Sequence, residues 1–483
     1  MEDSLYNIEP RVLWKHFLEL SKIPRGSRNE AAAARYVEDS ARAMGHEVIR
    51  DDTGNLLIRK KAVVGMENRQ GIVIQAHVDM VCEKNELTMH DFLNDPIAVY
   101  RDDDMIRARG TTLGADNGIG VAAALAVLEA TEIKHGPLEV LITVDEETGL
   151  TGANEFGGGI LRGKYFLNLD SEDEGVLTIG CAGGIDTSVT RTLEMKDSHP
   201  ARKAWRLKVH GLKGGHSGID INRGRGNSIS LLARVLHGMI PRPDLDLASI
   251  DGGNKRNAIP RESFAVVLLN PAQEGALRAA AATIESELRN ELGAFDPGLA
   301  LSLEPVDAPG KVMSAADSKA VIDFLFTAPH GVTSMSPDIE DLVQTSTNLG
   351  VVETGDARVE VVLLSRSSID SCKMALADRI ETLARFAGMD CKHSGGYPGW
   401  KPEPDTFLVK TMTRLYERMY GKPMAVKALH AGLECGIIGE KYPDMEMVSI
   451  GPDMWDVHTP EEKVSISSVA RFWEFLKVVI ETV

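Results

Sequence analysis

Three apolar runs in this chain end in the same way, and that shared ending constrains the fold more than any other feature. Gly71-Ile72-Val73-Ile74-Gln75-Ala76 leads into His77-Val78-Asp79, Leu138-Glu139-Val140-Leu141-Ile142-Thr143 into Val144-Asp145-Glu146-Glu147-Thr148, and Lys164-Tyr165-Phe166-Leu167-Asn168-Leu169 into Asp170. Short apolar runs of this kind read as buried strands, so each delivers a histidine or carboxylates to its C-terminal edge. Adjacent anions there repel one another and lose hydration, which calls for a compensating cation or raises proton affinity. Between the first two runs, Gly114-Ala115-Asp116-Asn117-Gly118 opens a helix of small residues, Ile119 to Leu128, and sets Asp116 at its N-terminus. In open α/β sheets, ligands gather outside the carboxyl ends of the strands, so these groups can converge on one crevice. Far downstream, Trp455-Asp456-Val457-His458-Thr459-Pro460 puts a histidine in a loop before the closing helix.

Each piece alone has an ordinary explanation. His-x-Asp is a common hydrogen-bonded pair, Glu-Glu a solvated helix face, Asp116 an N-cap favoured by the helix dipole, and His458 a loop histidine. Their order changes the reading. His-x-Asp after a strand, Asp at a helix start, Glu-Glu after a strand, Asp after a strand and a late His together point to a metal site.

The stretches Ile74-Gln75-Ala76-His77-Val78-Asp79-Met80-Val81-Cys82, Thr112-Leu113-Gly114-Ala115-Asp116-Asn117-Gly118 and Asp145-Glu146-Glu147-Thr148-Gly149 resemble the co-catalytic zinc peptidases, the family that includes carnosinase and glutamate carboxypeptidase. Within it they are similar to the aminoacyl-histidine dipeptidase branch. The resemblance runs nearly end to end, with no departure at the metal or base positions. It implies two zinc ions per chain: His77 and Asp170 on one, Glu147 and His458 on the other, Asp116 bridging. It implies Glu146 as general base and Asp79 orienting His77. The chemistry of the residues agrees, since zinc accepts imidazole nitrogen and carboxylate oxygen, and Asp79 can fix the His77 tautomer. Cobalt or manganese would suit the same donors. The expected reaction is metal-assisted hydrolysis of dipeptides with a free amino terminus, Xaa-His dipeptides such as β-alanyl-histidine among them. In it a metal-bridging water is activated and Glu146 takes its proton. A cis Asp116–Asn117 peptide is also expected.

Composition narrows the alternatives. A formal net charge of −18 argues against nucleic acid, because phosphates need a basic surface, and against an anionic membrane surface. The start Met1-Glu2-Asp3-Ser4 is acidic, with no continuous apolar segment after it as a secretory signal would have, and no run approaches a membrane span. The five cysteines form no C-x-x-C pair, which suits a reducing cytoplasm. Cys82 reads as buried filler, and Asp102-Asp103-Asp104 as a solvated turn. A homodimer is implied by the resemblance.

At 483 residues the chain exceeds one typical core. The expected fold is α/β, a doubly wound mixed-sheet catalytic domain (1–185 and 399–483) with an inserted α/β lid domain (186–398). Strand, loop and helix occur twice in the insert, around helices Asn227 to Met239 and Ile369 to Gly388, which suggests two similar halves and a lid wide enough to serve its own chain. His216, in Gly214-Gly215-His216-Ser217-Gly218, is on its own a turn residue. The resemblance makes it the lid histidine that donates to the oxyanion, with Asn257 supporting substrate. Arg366, in an expected loop Ser365-Arg366-Ser367-Ser368, would hold the substrate carboxylate bidentately. Ser171-Glu172-Asp173-Glu174 and Glu434 are both candidates for the substrate amino group. Two competing readings share these residues: an N-acyl-amino-acid deacylase, and a metal-dependent binding protein without catalysis. Glu146 speaks against the second, since a binder needs no base beside its metals.

Overall fold

The computed structural model describes residues 5–239 and 245–483, so the acidic start at residues 1–4 lies outside the described residues. The chain divides into two compact units. One comprises 1–180, 402–428 and 433–483, and the other 181–401 and 429–432.

The first unit is built on an eight-stranded mixed sheet. Strands Leu138–Thr143, Ile72–His77, Tyr165–Asn168 and Glu446–Ser449 lie side by side in parallel at its centre. Leu56–Lys60 and Glu47–Arg50 extend one side in antiparallel fashion. The centre is parallel because it is buried: every residue of Ile72–His77 and of Leu138–Thr143 is shielded from solvent, as expected for strands covered on both faces. From Ile72–His77 the chain moves to the neighbour on one side, Leu138–Thr143, and next to the neighbour on the other, Tyr165–Asn168. Ile72–His77 is therefore a topological switch point, where ligands collect. Register finishes the alignment. His77 pairs with Thr143 and Gln75 with Asn168, so Asp170, two residues past Asn168, reaches the level of His77.

The helix Ala115–Glu129 is buried on nearly every side. Its small residues permit that. A Cβ on Gly118 would meet Phe17 at 3.1 Å, and one on Gly120 would meet the Leu169 carbonyl oxygen at 2.8 Å. The Asp116–Asn117 peptide is cis, as expected. The acidic turn at 102–104 does more than solvate: Asp104 accepts hydrogen bonds from the hydroxyls of Ser465 and Ser467 and so ties the turn to the start of the last helix, Ile466–Thr482.

The second unit carries a nine-stranded sheet, and the expected repeat proves larger than strand, loop and helix. One half runs Lys203–His210, helix Ser228–Met239, Asp246–Gly252, Ser263–Leu269, helix Glu274–Leu292, Ala300–Val306. The other runs Gly183–Thr192, helix Ala315–Thr327, Val343–Thr354, Arg358–Ser367, helix Asp370–Phe386, Asp390–Tyr397. Both are βαββαβ, and in both the sheet order is fourth, first, third, second strand. Their second strands pair antiparallel, Gly252 opposite Val352. The first half is nested inside the second, entering after its first strand and leaving before its first helix. A short ribbon, Met195–Asp197 against Lys311–Met313, closes the neck. One apolar core joins the halves, with Leu207, Leu236 and Val267 from the nested half and Phe324, Val361 and Ile380 from the other.

Two expectations about local structure are corrected. Arg366 lies in a strand, Arg358–Ser367, and not in a loop, because cross-strand pairing of Ser346 with Arg366 and of Thr345 with Ser367 carries the ladder through a polar stretch. Glu146 and Glu147 do not leave a strand directly. The strand ends at Thr143, Asp145 takes left-handed backbone with φ 51°, and the two glutamates open a helical turn, Glu146–Gly149. Successive helical positions also diverge, by about 100°.

Candidate metal centre

In the first unit, His77, Asp116 and Asp170 form one triad of potential ligand atoms, and Asp116, Glu147 and His458 form another. Asp116 belongs to both. Its Oδ1 lies 3.2 Å from His77 Nε2, and its Oδ2 lies 3.1 Å from His458 Nε2. His77 Nε2 is also 3.3 Å from Asp170 Oδ1, and His458 Nε2 is 3.1 Å from Glu147 Oε2. The five residues come from two strand ends, a helix start, a helical turn and a loop, and span positions 77 to 458 of the chain.

 Chain order is therefore spread widely, while the side chains are adjacent.

The donors fit divalent cations. Each Nε2 faces carboxylate oxygens from two different residues, and a single N–H shared between two anions compensates them less well than a divalent ion would. Glu147 Oε1 is buried without a hydrogen-bond partner among the described residues. Without a cation, the anions hold protons on the histidines. Hydrogen bonds to Asp116 and Glu147 raise His458 to about 11 against its burial, and burial alone would lower His77, but Asp170, Asp116 and Asp79 outweigh it and raise it. Burial pushes Asp170 up to about 6. Two divalent ions would replace those protons and neutralise Asp116, Glu147 and Asp170 together.

Asp79 stands behind His77, its Oδ1 3.3 Å from Nδ1. It also accepts the amide N–H groups of Glu146 at 3.1 Å and Glu147 at 3.2 Å and the Ser27 hydroxyl at 2.8 Å. Burial raises this carboxylate, yet His77 and these donors outweigh it and leave it at about 2. One anion thus fixes both the histidine and the glutamate pair. The Glu146 carboxylate, close to His77 and Glu147, makes no hydrogen bond among the described residues. Burial pushes it well above the usual carboxylate range, with His77 opposing and Asp170 adding.

Glu434 opens the helix Glu434–Lys441 and is fully buried. Its Oε2 accepts from Gln75 Nε2 at 2.5 Å and from the Thr143 hydroxyl at 2.7 Å, while Oε1 has no hydrogen-bond partner among the described residues. Of the other acidic candidates, Glu172 and Asp173 are exposed. Glu174 is engaged by Arg471 at 3.1 Å and by the Tyr416 hydroxyl.

In the second unit, Gly215–His216 pairs antiparallel with Ala258–Ile259. His216 Nδ1 accepts the amides of Gly218 and Ile219, each at 3.2 Å, so in the neutral ring the proton sits on Nε2 and that atom is a donor. Burial and the nearby Arg366 lower the pKa of His216, which favours the neutral ring. Asn257 is exposed, and its carbonyl accepts from the Ser217 amide at 2.9 Å. Arg366 is 5% exposed and donates to the Tyr397 hydroxyl at 2.8 Å. Among the described residues it has no carboxylate within 4.0 Å, an unusual state for a buried guanidinium.

Four supporting residues escaped the sequence reading. Arg25, 2% exposed, donates to the carbonyls of Val78 at 2.9 Å, Asp79 at 3.0 Å and Gly114. Glu462 accepts the amides of Leu113 at 2.6 Å, Gly114 at 3.0 Å, Ala115 at 2.7 Å and Asp116 at 3.4 Å. Tyr397 holds Arg366. Asn348 donates to the carbonyls of Arg256 and Ala258, each at 2.8 Å, and so sets the backbone on both sides of Asn257. The only sequence signal was the nearness of Glu462 to His458.

Comparison with known proteins gives this geometry its context. Residues 73–482 match the model of peptidase family M20/M25/M40. The chain is 41% identical, over 99% of its length and 99% of the relative's, to the cytosol non-specific dipeptidase of Escherichia coli (strain K12). It is similar to the crystal structure of aminoacylhistidine dipeptidase from Vibrio alginolyticus, with a TM-score of 0.93 and 43% identity, covering 100% of this chain and 99% of that one. An aminopeptidase of Bacillus cereus, 18% identical with a TM-score of 0.58 and 98% of each chain covered, shares the fold. The chain belongs to peptidase family M20/M25/M40.

Proposed function

We propose that the protein hydrolyses dipeptides with a free amino terminus, Xaa-His dipeptides such as β-alanyl-histidine included, at a pair of zinc ions that cobalt or manganese can replace. The observation that carries this reading is the pair of triads sharing Asp116. His77 and Asp170 would hold one ion, Glu147 and His458 the other, and Asp116 both. When bound, such a pair polarises the scissile carbonyl and lowers the pKa of water toward about 7.

Glu146, its carboxylate close to His77 and without a hydrogen bond among the described residues, takes the proton of the attacking water and returns it to the departing amine. Its elevated proton affinity suits both transfers. Asp79 keeps His77 in the tautomer that presents Nε2. His216 donates from Nε2 to the oxyanion, a contact typically worth ~2.7–4 kcal/mol. Arg366, lacking a carboxylate of its own, takes the C-terminal carboxylate of the substrate, and Asn257 supports it. Glu434 or Glu172 receives the substrate amine. A mutant of one that loses discrimination between free and N-acetylated dipeptides, while the other keeps it, assigns the role. A cytosolic location goes with this reading, supported by the name of the Escherichia coli relative, and a homodimer by the resemblance alone. No helix among the described residues is long and apolar enough to cross a membrane.

The test is metal content per chain measured beside turnover on β-alanyl-histidine, other dipeptides and acetyl-amino acids. Two ions per chain with dipeptide hydrolysis is expected. Faster cleavage of acetyl-amino acids would make the protein a deacylase, and metal binding without turnover would make it a binder.

A further inference from the structure

His458 rides on a loop between two short paired strands, Met454–Trp455 and Lys463–Ser465. Its side chain is 49% exposed, so packing does little to hold it. The last residue of that loop is Glu462, which is 2% exposed and turns inward. Its carboxylate grips four successive amides, Leu113 to Asp116, and the fourth belongs to the carboxylate shared by both triads. The loop is closed on itself by Glu462 N–H to the Thr459 carbonyl at 3.1 Å and by the Thr459 hydroxyl to the Asp456 carbonyl at 2.7 Å. His458 therefore hangs from a short, internally bonded loop whose inward anchor is one carboxylate.

We propose that Glu462 is a positioning residue that sets the reach of His458 to Asp116 and so tunes the ion held by Asp116, Glu147 and His458. The proposal rests on the metal reading above. The ion at His77, Asp116 and Asp170 depends less on Glu462, because His77 ends a central strand and Asp170 follows another. An ordinary helix-capping carboxylate would stabilise the start of Ala115–Glu129 without favouring one ion. The two roles therefore separate in the pattern of metal loss.

The experiment titrates metal-free, full-length wild type, E462Q, E462D and H458A with Zn2+ against a chromophoric chelator, and reads two stepwise dissociation constants. In E462Q the replaced oxygen presents an amide N–H to backbone N–H groups. The constant that H458A abolishes is expected to weaken by about 10–100-fold, the range for groups that orient metal ligands, with the other constant changed less than about threefold. E462D, which keeps the charge on a shorter arm, is expected to fall between wild type and E462Q. Unchanged constants in E462Q, or equal weakening of both, would overturn the proposal. If E462Q does not fold, E462D decides by the same criterion. A wild type that binds no pair of ions would instead overturn the metal reading, so the two failures are distinguishable.

Discussion

Glu146 and Glu147 are neighbours in sequence with opposite surroundings. Glu147 meets His458 at 3.1 Å, whereas the Glu146 carboxylate has no hydrogen bond among the described residues and a raised proton affinity. Glu146→Gln should lower turnover by roughly 10²–10⁴-fold and leave metal content unchanged, measured by steady-state kinetics and elemental analysis of one preparation. Loss of metal along with turnover would make Glu146 a ligand. At this scale the gathering of His77, Asp116, Glu147, Asp170 and His458 was legible, because each stands at a recognisable strand end, helix start or loop. Arg25 and Glu462 were not, because their partners are backbone carbonyls and amides. A peptide group is the same at every position, so sequence carries no sign of which one a side chain will meet.

Helix ends and strand extensions depend on similar contacts. Gly114 precedes the helix Ala115–Glu129 with φ 69°, and an added Cβ would run into Arg25 Nη2 and meet Met80 Sδ at 2.7 Å. Gly114→Ala should cost ~1–3 kcal/mol, the usual range for a residue held in unfavourable backbone, seen as a lower denaturant midpoint. A second helix end is pH-sensitive. Asn227 accepts the amides of Ile229 and Ser230 at the start of Ser228–Met239, and its Nδ2 donates to His330 at 3.2 Å. Burial lowers His330 to about 4. The unfolded chain therefore binds the extra proton first, so this contribution is complete above about pH 6.5 and is lost as pH falls toward 4. In His330→Gln the fall in melting temperature between those values should be shallower, and an identical acid limb would contradict the assignment. Apolar periodicity revealed Ile72–His77, Leu138–Thr143 and Tyr165–Asn168 in the first sheet and most of Lys203–His210, Ser263–Leu269 and Arg358–Ser367 in the second, but not the central pair Asp246–Gly252 and Val343–Thr354, nor the end of Arg358–Ser367. There Thr345 and Ser367 hydroxyls meet at 2.9 Å, and Ser365 donates to Thr347 at 3.1 Å. Cross-strand hydroxyl pairs bury polar residues that hydropathy assigns to the surface.

Each of the two units has its own sheet, so they need not unfold together. Ions bound by the triads stabilise the first unit by mass action, ~2.7 kcal/mol at a free concentration 100 times the dissociation constant. Removing metal with a chelator should lower the calorimetric transition of that unit and leave the other in place. Equal shifts in both would place the ions' stabilising effect on the whole chain. The α/β class and the doubled insert were legible in the alternation of helices and strands. The nesting was not, because Gly183–Thr192 joins partners more than 150 residues downstream, Arg358–Ser367 and Asp390–Tyr397, and strand pairing over such separation leaves no local pattern. Its neck is narrow: beyond the ribbon, the Ser198 amide bonds the Gly310 carbonyl at 3.0 Å. Everything between these residues leaves and returns through one doorway, so the enclosed βαββαβ cassette, His216 and Asn257 with it, is a single insertion into the half that carries Arg366, and because the two share a core, deleting it would bare Phe324, Val361 and Ile380.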